Sequence, residues 1–414
     1  MAKPHALFLF RLLLLVNACR PSHQQDQNKI SSGDMAALAA VKESLTDIPG
    51  SNFFATWDFT APDPCSTFSG ITCSLGRVTT LTLGTGLSNS RGLAGFLCPS
   101  VSNLTELTQL VLYPGLVTGP IPPQLGLLRN LRVLSLTNNR LKGPIPSSLS
   151  SLANLHTLDL SYNQLTGTVP PGLFTELAQL KVMILASNQL SGELPRIVSA
   201  EILHLDLKDN RLTGALPLRL PSTIRYLSAS NNMMWGPLNG LQSLSELEFL
   251  DLSMNRFSGP IPSSLFRPAL SSLFLQRNNL SGGVPSSLPS PLMYAEGSIV
   301  DLSHNFLTGE LPPVLAAVEA LFLNSNRLTG RVPEEYAKNV YGGSTKTLYL
   351  QHNYMTGFPL EAGMRLPDTV SLCLTYNCMV PPVGFRGCPA ASDGEQLSRP
   401  ESQCLAFSHG RSIP

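Results

Sequence analysis

Leucines recur along most of the chain at fixed positions relative to an asparagine. Residues 155–170 read LHTLDLSYNQLTGTVP, in which Leu158 and Leu160 alternate with Asp159. This alternation has the two-residue period of a short strand with one buried face. The pattern returns every 21 to 27 residues. Its asparagines are Asn139, Asn163, Asn188, Asn210, Asn232, Asn255, Asn278, Asn305, Asn326, Asn353 and Asn377, and Gly86 and Gly115 take this position in two earlier coils.

Each repeated position has a mechanical role. One coil cannot bury its own leucines, so the coils must stack and their strands must join into a parallel sheet. The inward Asn163 can satisfy backbone groups where the chain leaves the strand. Gly167 permits a tight bend, and Pro170 favours an extended back face. The sequence therefore predicts an α/β leucine-rich-repeat solenoid, a horseshoe of about 12 coils with a parallel concave sheet over residues 77–382.

The ends of such a solenoid must be covered, because their leucines have no neighbouring coil. Before the repeats, the apolar residues of DMAALAAVKESL fall on one helical face, and Asp34 is a candidate N-cap residue. We therefore expect a helical N-terminal cap over residues 34–76. A cysteine-containing C-terminal cap and tail are expected over residues 383–414.

The repeat form LTGxIP and the segment ATWDFTAPDPCSTFSGITC resemble the plant-specific leucine-rich-repeat class. That class includes receptor-kinase ectodomains, receptor-like proteins and secreted polygalacturonase-inhibitor-like proteins. The resemblance implies an extracellular recognition surface. We expect no membrane span after the repeats and no kinase domain, because the sequence contains no signature of either. The matching cap residues are Trp57, Pro64, Cys65, Gly70 and Cys73, and Phe68 stands where the class usually has Trp.

Residues 1–18 predict a secretory signal peptide. Lys3 gives a basic start, residues 7–16 form an apolar stretch, and small residues follow for cleavage. Arg11 interrupts the stretch, so a signal anchor is the alternative. About 10 apolar residues are too few for a bilayer, which needs ~20, and we therefore expect removal of the leader and export. Residues 19–33 would then form the mature N-terminal segment.

The near-neutral net charge argues against a nucleic-acid partner. The chain of 414 residues has 28 basic and 27 acidic residues. Loss of the leader removes Lys3 and Arg11 and leaves 26 against 27, a net charge of −1. A near-neutral surface offers no general attraction for nucleic acid or acidic polysaccharide. We expect no nucleic-acid partner.

Export would permit disulfides and glycans. Cys65 and Cys73 are close together in the cap and predict one disulfide. Four cysteines near the C-terminus allow three pairings, and the sequence does not choose among them. Cys98 is left over if Cys19 is unpaired, and we expect an inert, partly buried thiol there. Asn103 and Asn279 begin glycosylation motifs. The four C-terminal cysteines are Cys373, Cys378, Cys388 and Cys404.

The residue between the two strand leucines is expected to face solvent on the concave sheet. Asp159, Asp206, Asp251 and Asp301 take this position in every second coil, which places them ~9.6 Å apart. That separation is near the upper limit for the carboxylates of inverting glycosidases, but nothing here separates an acid from a base. Hydrogen bonding to neighbouring Ser, Lys or backbone groups is the favoured interpretation. We predict no enzyme activity and no cofactor.

Aromatic residues favour a binding surface in the C-terminal half of the concave face. Phe274 and Phe322 take strand positions where exposure is unfavourable unless something covers the ring. Aromatic and Arg residues are typical anchors of protein interfaces, although glycans, loops or the C-terminal cap could also cover them. His304 and His352 lie two coils apart, too far to share a zinc ion. The predicted partner-binding residues are Asp206, Asp251, Phe274, Arg277, Phe322, Tyr349 and His352.

Taken together, the sequence predicts a secreted recognition protein of the cell wall, the apoplast or the outer cell surface. It would bind an extracellular protein or peptide through its concave face, together with a receptor-kinase ectodomain that supplies signalling. The alternative is an inhibitor of secreted cell-wall-degrading enzymes, by similarity to the polygalacturonase inhibitors. The near-neutral charge and the lack of a distinctive acid-blocking cluster weaken that alternative.

Overall fold

A computed structural model describes residues 30–61, 63–84, 92–197, 201–285, 294–359, 365–381, 388 and 398–408. The predicted signal peptide and Gly86 lie outside these ranges, as do most of segment 19–33 and of the tail after residue 381. Strands and helices are numbered below in chain order. Within the described ranges, no helix has the length and apolar character needed to cross a bilayer.

The N-terminal cap begins with helix α1 (Ser32–Ser44). Its N-cap is Ser31, whose hydroxyl accepts a hydrogen bond from the Gly33 amide, so the expectation of Asp34 in that role is wrong. Asp34 is instead buried, and its carboxylate accepts hydrogen bonds from the Arg77 guanidinium and the Val78 amide. These bonds anchor the helix to strand β3 (Arg77–Leu83) of the concave sheet.

Aromatic packing and a disulfide complete this cap. Trp57 is buried and stacks on Phe68 with ring centroids 5.1 Å apart. Cys65 is bonded to Cys73. Gly70 has φ of +80°, and a Cβ there would lie 2.0 Å from the Thr82 carbonyl oxygen, so only glycine fits. The other elements are β1 (Leu45–Asp47), which pairs antiparallel with β4 (Leu93–Phe96), a 3₁₀ turn at Phe53–Thr56, and α2 (Pro64–Thr67).

The concave face is a 14-stranded sheet. Its first two strands pair antiparallel, and all later pairs are parallel, as the stacking argument requires. The middle residue of each three-residue strand of this sheet, a leucine except at Met183 and Val300, is buried in one continuous core. The strands are β2 (Ile71–Ser74), β3 (Arg77–Leu83), β5 (Gln109–Leu112), β7 (Val133–Ser135), β9 (Thr157–Asp159), β11 (Val182–Ile184), β13 (His204–Asp206), β15 (Tyr226–Ser228), β17 (Phe249–Asp251), β19 (Ser272–Phe274), β21 (Ile299–Asp301), β23 (Ala320–Phe322), β25 (Thr347–Tyr349) and β26 (Ser371–Cys373).

A second layer of short strands forms the lateral face, in a seven-stranded and a five-stranded sheet. Besides β1 and β4, the first contains β6 (Leu116–Gly119), β8 (Arg140–Pro144), β10 (Gln164–Gly167), β12 (Gln189–Glu193) and β14 (Arg211–Thr213). The second contains β16 (Trp235–Gly236), β18 (Arg256–Gly259), β20 (Asn279–Gly283), β22 (Phe306–Gly309) and β24 (Arg327–Leu328).

Short helices occupy the convex face. Most are single 3₁₀ turns, which suit the few residues between one strand and the next. The 3₁₀ turns are Pro99–Asn103, Pro123–Leu127, Ser147–Ser151, Asn239–Leu241, Ser263–Leu265 and Pro313–Ala317, and the α-helices are α3 (Gly172–Thr175) and α4 (Glu334–Tyr341).

The inward asparagines form a hydrogen-bonded ladder along the solenoid, here called the asparagine ladder. Asn163 is representative: its Oδ1 accepts from the Leu141 amide at 3.0 Å, and its Nδ2 donates to Leu136, Leu160 and Ser161 carbonyls at 2.9 to 3.2 Å. The same acceptor bond recurs at every asparagine from Asn139 to Asn377. The sequence prediction that these residues satisfy backbone groups is confirmed.

The residue before each ladder asparagine adopts the left-handed backbone conformation. Its φ lies between 52° and 60° in all eleven coils, although none of these residues is glycine. That conformation costs a non-glycine residue roughly 1–2 kcal/mol, and least for Asn or Asp. We call this set the left-handed row. Its members are Asn138, Tyr162, Ser187, Asp209, Asn231, Met254, Arg277, His304, Ser325, His352 and Tyr376.

The C-terminal cap is tied to the last coils by disulfides and by an arginine. Cys373 is bonded to Cys388 and Cys378 to Cys404, which selects one of the three possible pairings. Helix α5 (Glu401–Ser408) carries Cys404. The Arg399 guanidinium lies over two tyrosine rings, with centroids at 4.1 and 4.6 Å, and its Nε donates to the Asn353 carbonyl. The two rings belong to Tyr354 and Tyr376.

Candidate functional site

The third residue of each concave strand is less exposed than the sequence suggested. Asp159 and Asp206 are 8% and 6% exposed, and Ser228 is 1% exposed. The expectation that this row faces solvent is therefore wrong at these positions. Adjacent strands lie only ~4.8 Å apart, so the side chains of neighbouring coils cover one another. Ile184 and Cys373 are buried in the same row.

The aspartates of this row make local hydrogen bonds. Asp159 accepts from the Ser161 amide at 3.0 Å and from its hydroxyl at 2.6 Å. Asp251 makes the same two bonds to Ser253, at the same distances. Asp206 accepts from the Lys208 amide and forms an ion pair with its ammonium group at 3.3 Å. These contacts agree with the favoured interpretation that the acids bind neighbouring Ser, Lys or backbone groups.

Burial shifts the pKa of two of these acids, Asp159 and Asp301, in the same direction. Burial raises the pKa of Asp159, against the opposing effect of its Ser161 hydrogen bonds. Burial also raises the pKa of Asp301, which accepts from the Ser303 amide. Two carboxyls shifted in the same direction for the same reason have no distinct catalytic roles.

Four aromatic rings form a continuous stack across consecutive concave strands, here called the aromatic stack. The rings of His204 and Tyr226 are parallel within 2° at 4.0 Å, and Tyr226 and Phe249 within 5° at 4.3 Å. Phe274 continues the row at 5.8 Å with a tilt of 50°. All four side chains are half-buried. The stack is the largest aromatic feature of the concave sheet among the described residues.

Three members of the stack were not predicted, because the sequence analysis considered only the third position of each strand. His204, Tyr226 and Phe249 are the first residues of their strands, and direct strand pairing brings them together. The signal was present in the chain as the successive strands HLD, YLS and FLD. In a three-residue strand the first and third side chains point to the same face of the sheet. Both positions must therefore be examined for exposed aromatic residues.

The predicted aromatic patch is divided into two clusters. Phe322 and Tyr349 contact each other edge to face at 5.2 Å, and the Tyr349 hydroxyl lies 3.1 Å from the Ser371 hydroxyl. The strand register places Asp301 between Phe274 and Phe322. Phe274 thus belongs to the aromatic stack, and the other two rings form a separate pair nearer the C-terminus.

Charged groups border the aromatic stack. Arg225 and Glu248 form an exposed ion pair at 3.5 Å, one residue before Tyr226 and Phe249 in the chain. Burial, and then the nearby Asp206 and Asp251 carboxylates, raise the pKa of Tyr226. The phenol therefore stays protonated throughout the physiological range.

The left-handed row adds polar side chains at the edge of the concave sheet. Arg277 is exposed, and His352 is half-buried with its ring 5.1 Å from the Tyr376 ring. Burial, assisted by the Arg277 charge, lowers the pKa of His304 below its ordinary value. Tyr376 lies under the Arg399 guanidinium, so the C-terminal cap covers one of the aromatic rings.

Both glycosylation motifs lie away from the concave strands. Asn103 is exposed at the end of a convex 3₁₀ turn, and Asn279 is exposed at the start of lateral strand β20. A glycan attached at either position would leave the aromatic stack open. Within the described ranges, no group of three or more His, Cys, Asp or Glu residues is arranged to hold a metal ion.

Family models match three parts of the chain. The leucine-rich-repeat N-terminal domain matches residues 31–74, and leucine-rich-repeat models match residues 129–190 and 246–267. The cap match covers the Cys65–Cys73 disulfide and the aromatic packing around Trp57.

The chain is a plant-type leucine-rich-repeat protein.

This leucine-rich-repeat protein is similar in structure to plant receptor ectodomains. A TDR receptor shares 27% identity with a TM-score of 0.61, over 69% of this chain and 54% of its own. The peptide hormone receptor RGFR1, solved with RGF2, shares 26% identity with a TM-score of 0.57, over 69% and 50%. The ectodomain of the receptor kinase GASSHO1/SCHENGEN3 from Arabidopsis thaliana, solved with CASPARIAN STRIP INTEGRITY FACTOR 2, shares 28% identity with a TM-score of 0.58, over 82% and 50%.

The leucine-rich-repeat protein spans about half the length of these receptor structures. It resembles extracellular ectodomains in its solenoid, and its described residues contain three disulfides. Proteins of this repeat family are typically non-catalytic binding scaffolds. The hydrogen-bonded concave aspartates agree with that general property.

Proposed function

We propose that this protein is a secreted, non-catalytic recognition protein. It binds an extended segment of an extracellular protein or peptide across its concave face, centred on the aromatic stack. A receptor-kinase ectodomain joins the complex and supplies signalling. The observation that carries the proposal is the row of four half-buried rings on consecutive strands. The peptide hormone complexes of similar ectodomains support the class of ligand.

The geometry of the stack suits an extended segment. Four strands at ~4.8 Å spacing span about 15 Å, which is the length of about four residues of extended chain. Rigid rings lose little conformational freedom on binding and bury large apolar areas. The Tyr226 hydroxyl stays protonated and can donate a hydrogen bond to a partner carbonyl.

The other predicted residues extend this surface. Arg277, Phe322, Tyr349 and His352 lie towards the C-terminal end and would contact the remainder of a longer partner. Asp206 is too buried for a broad direct contact and would act by holding Lys208 in place. An interface of ordinary size needs ~800 Å² per partner, which is more than the stack alone supplies.

The test begins with capture of partners from extracellular fluid of plant tissue by the full-length chain. Purified partners are then measured by calorimetry against the Tyr226→Ala/Phe249→Ala variant. We expect the dissociation constant to rise about a hundredfold, because two central aromatic anchors are lost. The control variant, Val133→Ala/Val182→Ala, removes side chains from the same strand position outside the stack.

Equal weakening by the control variant, or none by the stack variant, would contradict the proposed site. Capture of receptor ectodomains or small peptides supports recognition. Capture of a secreted hydrolase, with loss of its activity, would instead favour the inhibitor alternative and overturn the proposed role in signalling.

A further inference from the structure

The convex face has a gap at two consecutive coils. The coils that start at Asn188 and Asn210 are each 22 residues long. In their described residues they contain no convex helix, whereas the coils on either side contain α3 and the 3₁₀ turn Asn239–Leu241. A groove of about 590 Å³ lies along their convex segments and is here called the convex groove. Its lining residues are Arg196, Ile197, Leu216, Pro217, Leu218 and Arg219.

The convex groove combines an apolar floor with unpaired cations. Ile197 and Leu216 are buried in the solenoid core, while Leu218 is 80% exposed. Arg196 and Arg219 are both exposed, and neither guanidinium forms an ion pair or hydrogen bond with any described residue. By contrast, Arg225 is paired with Glu248. A large leucine and two exposed guanidinium groups, neither paired with a described residue, therefore surround one groove.

We propose that the convex groove binds a short segment of a partner protein that carries a carboxylate beside a bulky apolar side chain. Guanidinium groups favour carboxylates because they can donate two parallel hydrogen bonds to the two oxygens. The apolar side chain would pack on Leu218 and remove it from water, which is favourable in proportion to the area buried. Charge complementarity thus selects an acidic segment and disfavours a basic one.

This groove is independent of the proposed concave site. It lies on the opposite side of the solenoid, because convex segments connect one concave strand to the next. Neither glycosylation motif falls in its two coils, since Asn103 and Asn279 belong to other parts of the chain. A partner in the convex groove and a partner on the aromatic stack could therefore bind at the same time.

The test is selection of a phage-displayed library of random decapeptides on the full-length protein. Each selected peptide is then synthesised and measured by fluorescence anisotropy. We expect selected peptides to contain Asp or Glu next to Leu, Ile, Phe or Met. Their dissociation constants should rise at least tenfold for Arg196→Gln/Arg219→Gln and for Leu218→Ser, and binding should weaken as salt is added.

The matched control is Arg140→Gln/Arg211→Gln, which removes two exposed arginines from the lateral strands β8 and β14. Selected peptides should bind this variant as they bind the wild type. Selection of peptides without acids would overturn the proposal. Equal loss in the control and groove variants, or full binding by the groove variants, would also overturn it. The Tyr226→Ala/Phe249→Ala variant should still bind these peptides, which separates this site from the concave one.

Discussion

The asparagine ladder and the aromatic stack both use one residue per coil, yet they are held by different contacts. Each ladder asparagine is bonded to backbone groups of its own coil and of the coil before. The rings of the stack instead contact one another. A change of ring therefore leaves every backbone bond of the ladder in place. The ladder asparagines can therefore stay the same in every coil while the side chains of the concave strands differ, because the two sets make separate contacts.

Replacing an asparagine of the ladder should have the largest effect on stability. Asn163→Ala removes four hydrogen bonds and takes away the partners of the buried Leu141 amide and the Leu136 carbonyl, whereas the Leu160 and Ser161 carbonyls keep other donors. We expect the free energy of unfolding to fall by about 3 kcal/mol or more, because each buried unsatisfied group costs about 1–3 kcal/mol. Urea denaturation followed by circular dichroism measures the change. The exposed neighbour serves as control, and Gln164→Ala should change stability by less than ~0.5 kcal/mol.

Breaking the stack should cost less stability. Phe249 contacts Tyr226 on one side and Phe274 on the other, so Phe249→Ala loses two ring contacts. Each such contact contributes ~0.5–1.5 kcal/mol, so the two together give an expected loss of about 1–3 kcal/mol. The same urea measurement applies. A loss as large as that of Asn163→Ala would show that the stack is part of the structural core, which contradicts the separation described above.

Replacing a residue of the left-handed row by asparagine should stabilise the protein. Met254 has φ of 55° and is 50% exposed, so its side chain contributes little packing to offset the backbone cost. Met254→Asn should raise the free energy of unfolding by about 0.5–1 kcal/mol, because asparagine adopts this conformation more readily. Arg256→Asn on strand β18 is the control and should bring no gain. The change in melting temperature distinguishes the two variants.

The smallest effect concerns a buried acid of the concave face and depends on pH. The pKa of Asp159 is raised in the folded protein, whereas an unfolded Asp titrates near ~3.9. The folded state thus binds its proton more tightly. Stability linked to this group is present below about pH 3.9 and is lost as pH rises through the folded pKa.

Asp159→Asn removes that titration and keeps an oxygen that can accept from Ser161. The melting temperature of the variant relative to the wild type should therefore increase from pH 3.5 to pH 7. Glu201→Gln controls for the loss of one acidic residue. A relative melting temperature that stays constant or falls over this range would contradict the burial argument.

Most of the fold followed from the sequence because its causes are local and repeated. The leucine alternation predicted the strands, and a buried polar side chain at Asn163 predicted the ladder. The cap prediction erred on one detail: Asp34 is drawn to Arg77 and Val78, which are 43 and 44 residues away. Sequence periodicity contains no information on such a distant charge partner.

The candidate sites were harder to predict. Asp206 was expected to be exposed because strand alternation shows which face a side chain is on. It does not show how closely the side chains of the next coil cover that face. The left-handed row escaped notice since its residues, such as Tyr162 and Arg277, share no chemistry, only a backbone angle. Coil length did not predict the convex groove, because the 21-residue coil from Asn305 to Asn326 contains the 3₁₀ turn Pro313–Ala317.

The two coils with no convex helix in their described residues also bear on the local bending of the solenoid. A solenoid curves because its outer arc is wider than its inner arc, and the rotation between successive coils sets the radius. Two coils with a narrowed outer arc should therefore form a straighter stretch. The rings of His204 and Tyr226 lie on the two strands that flank the second of these coils and are parallel within 2°. A convex helix added to that coil would widen its outer arc and increase the rotation between these two strands.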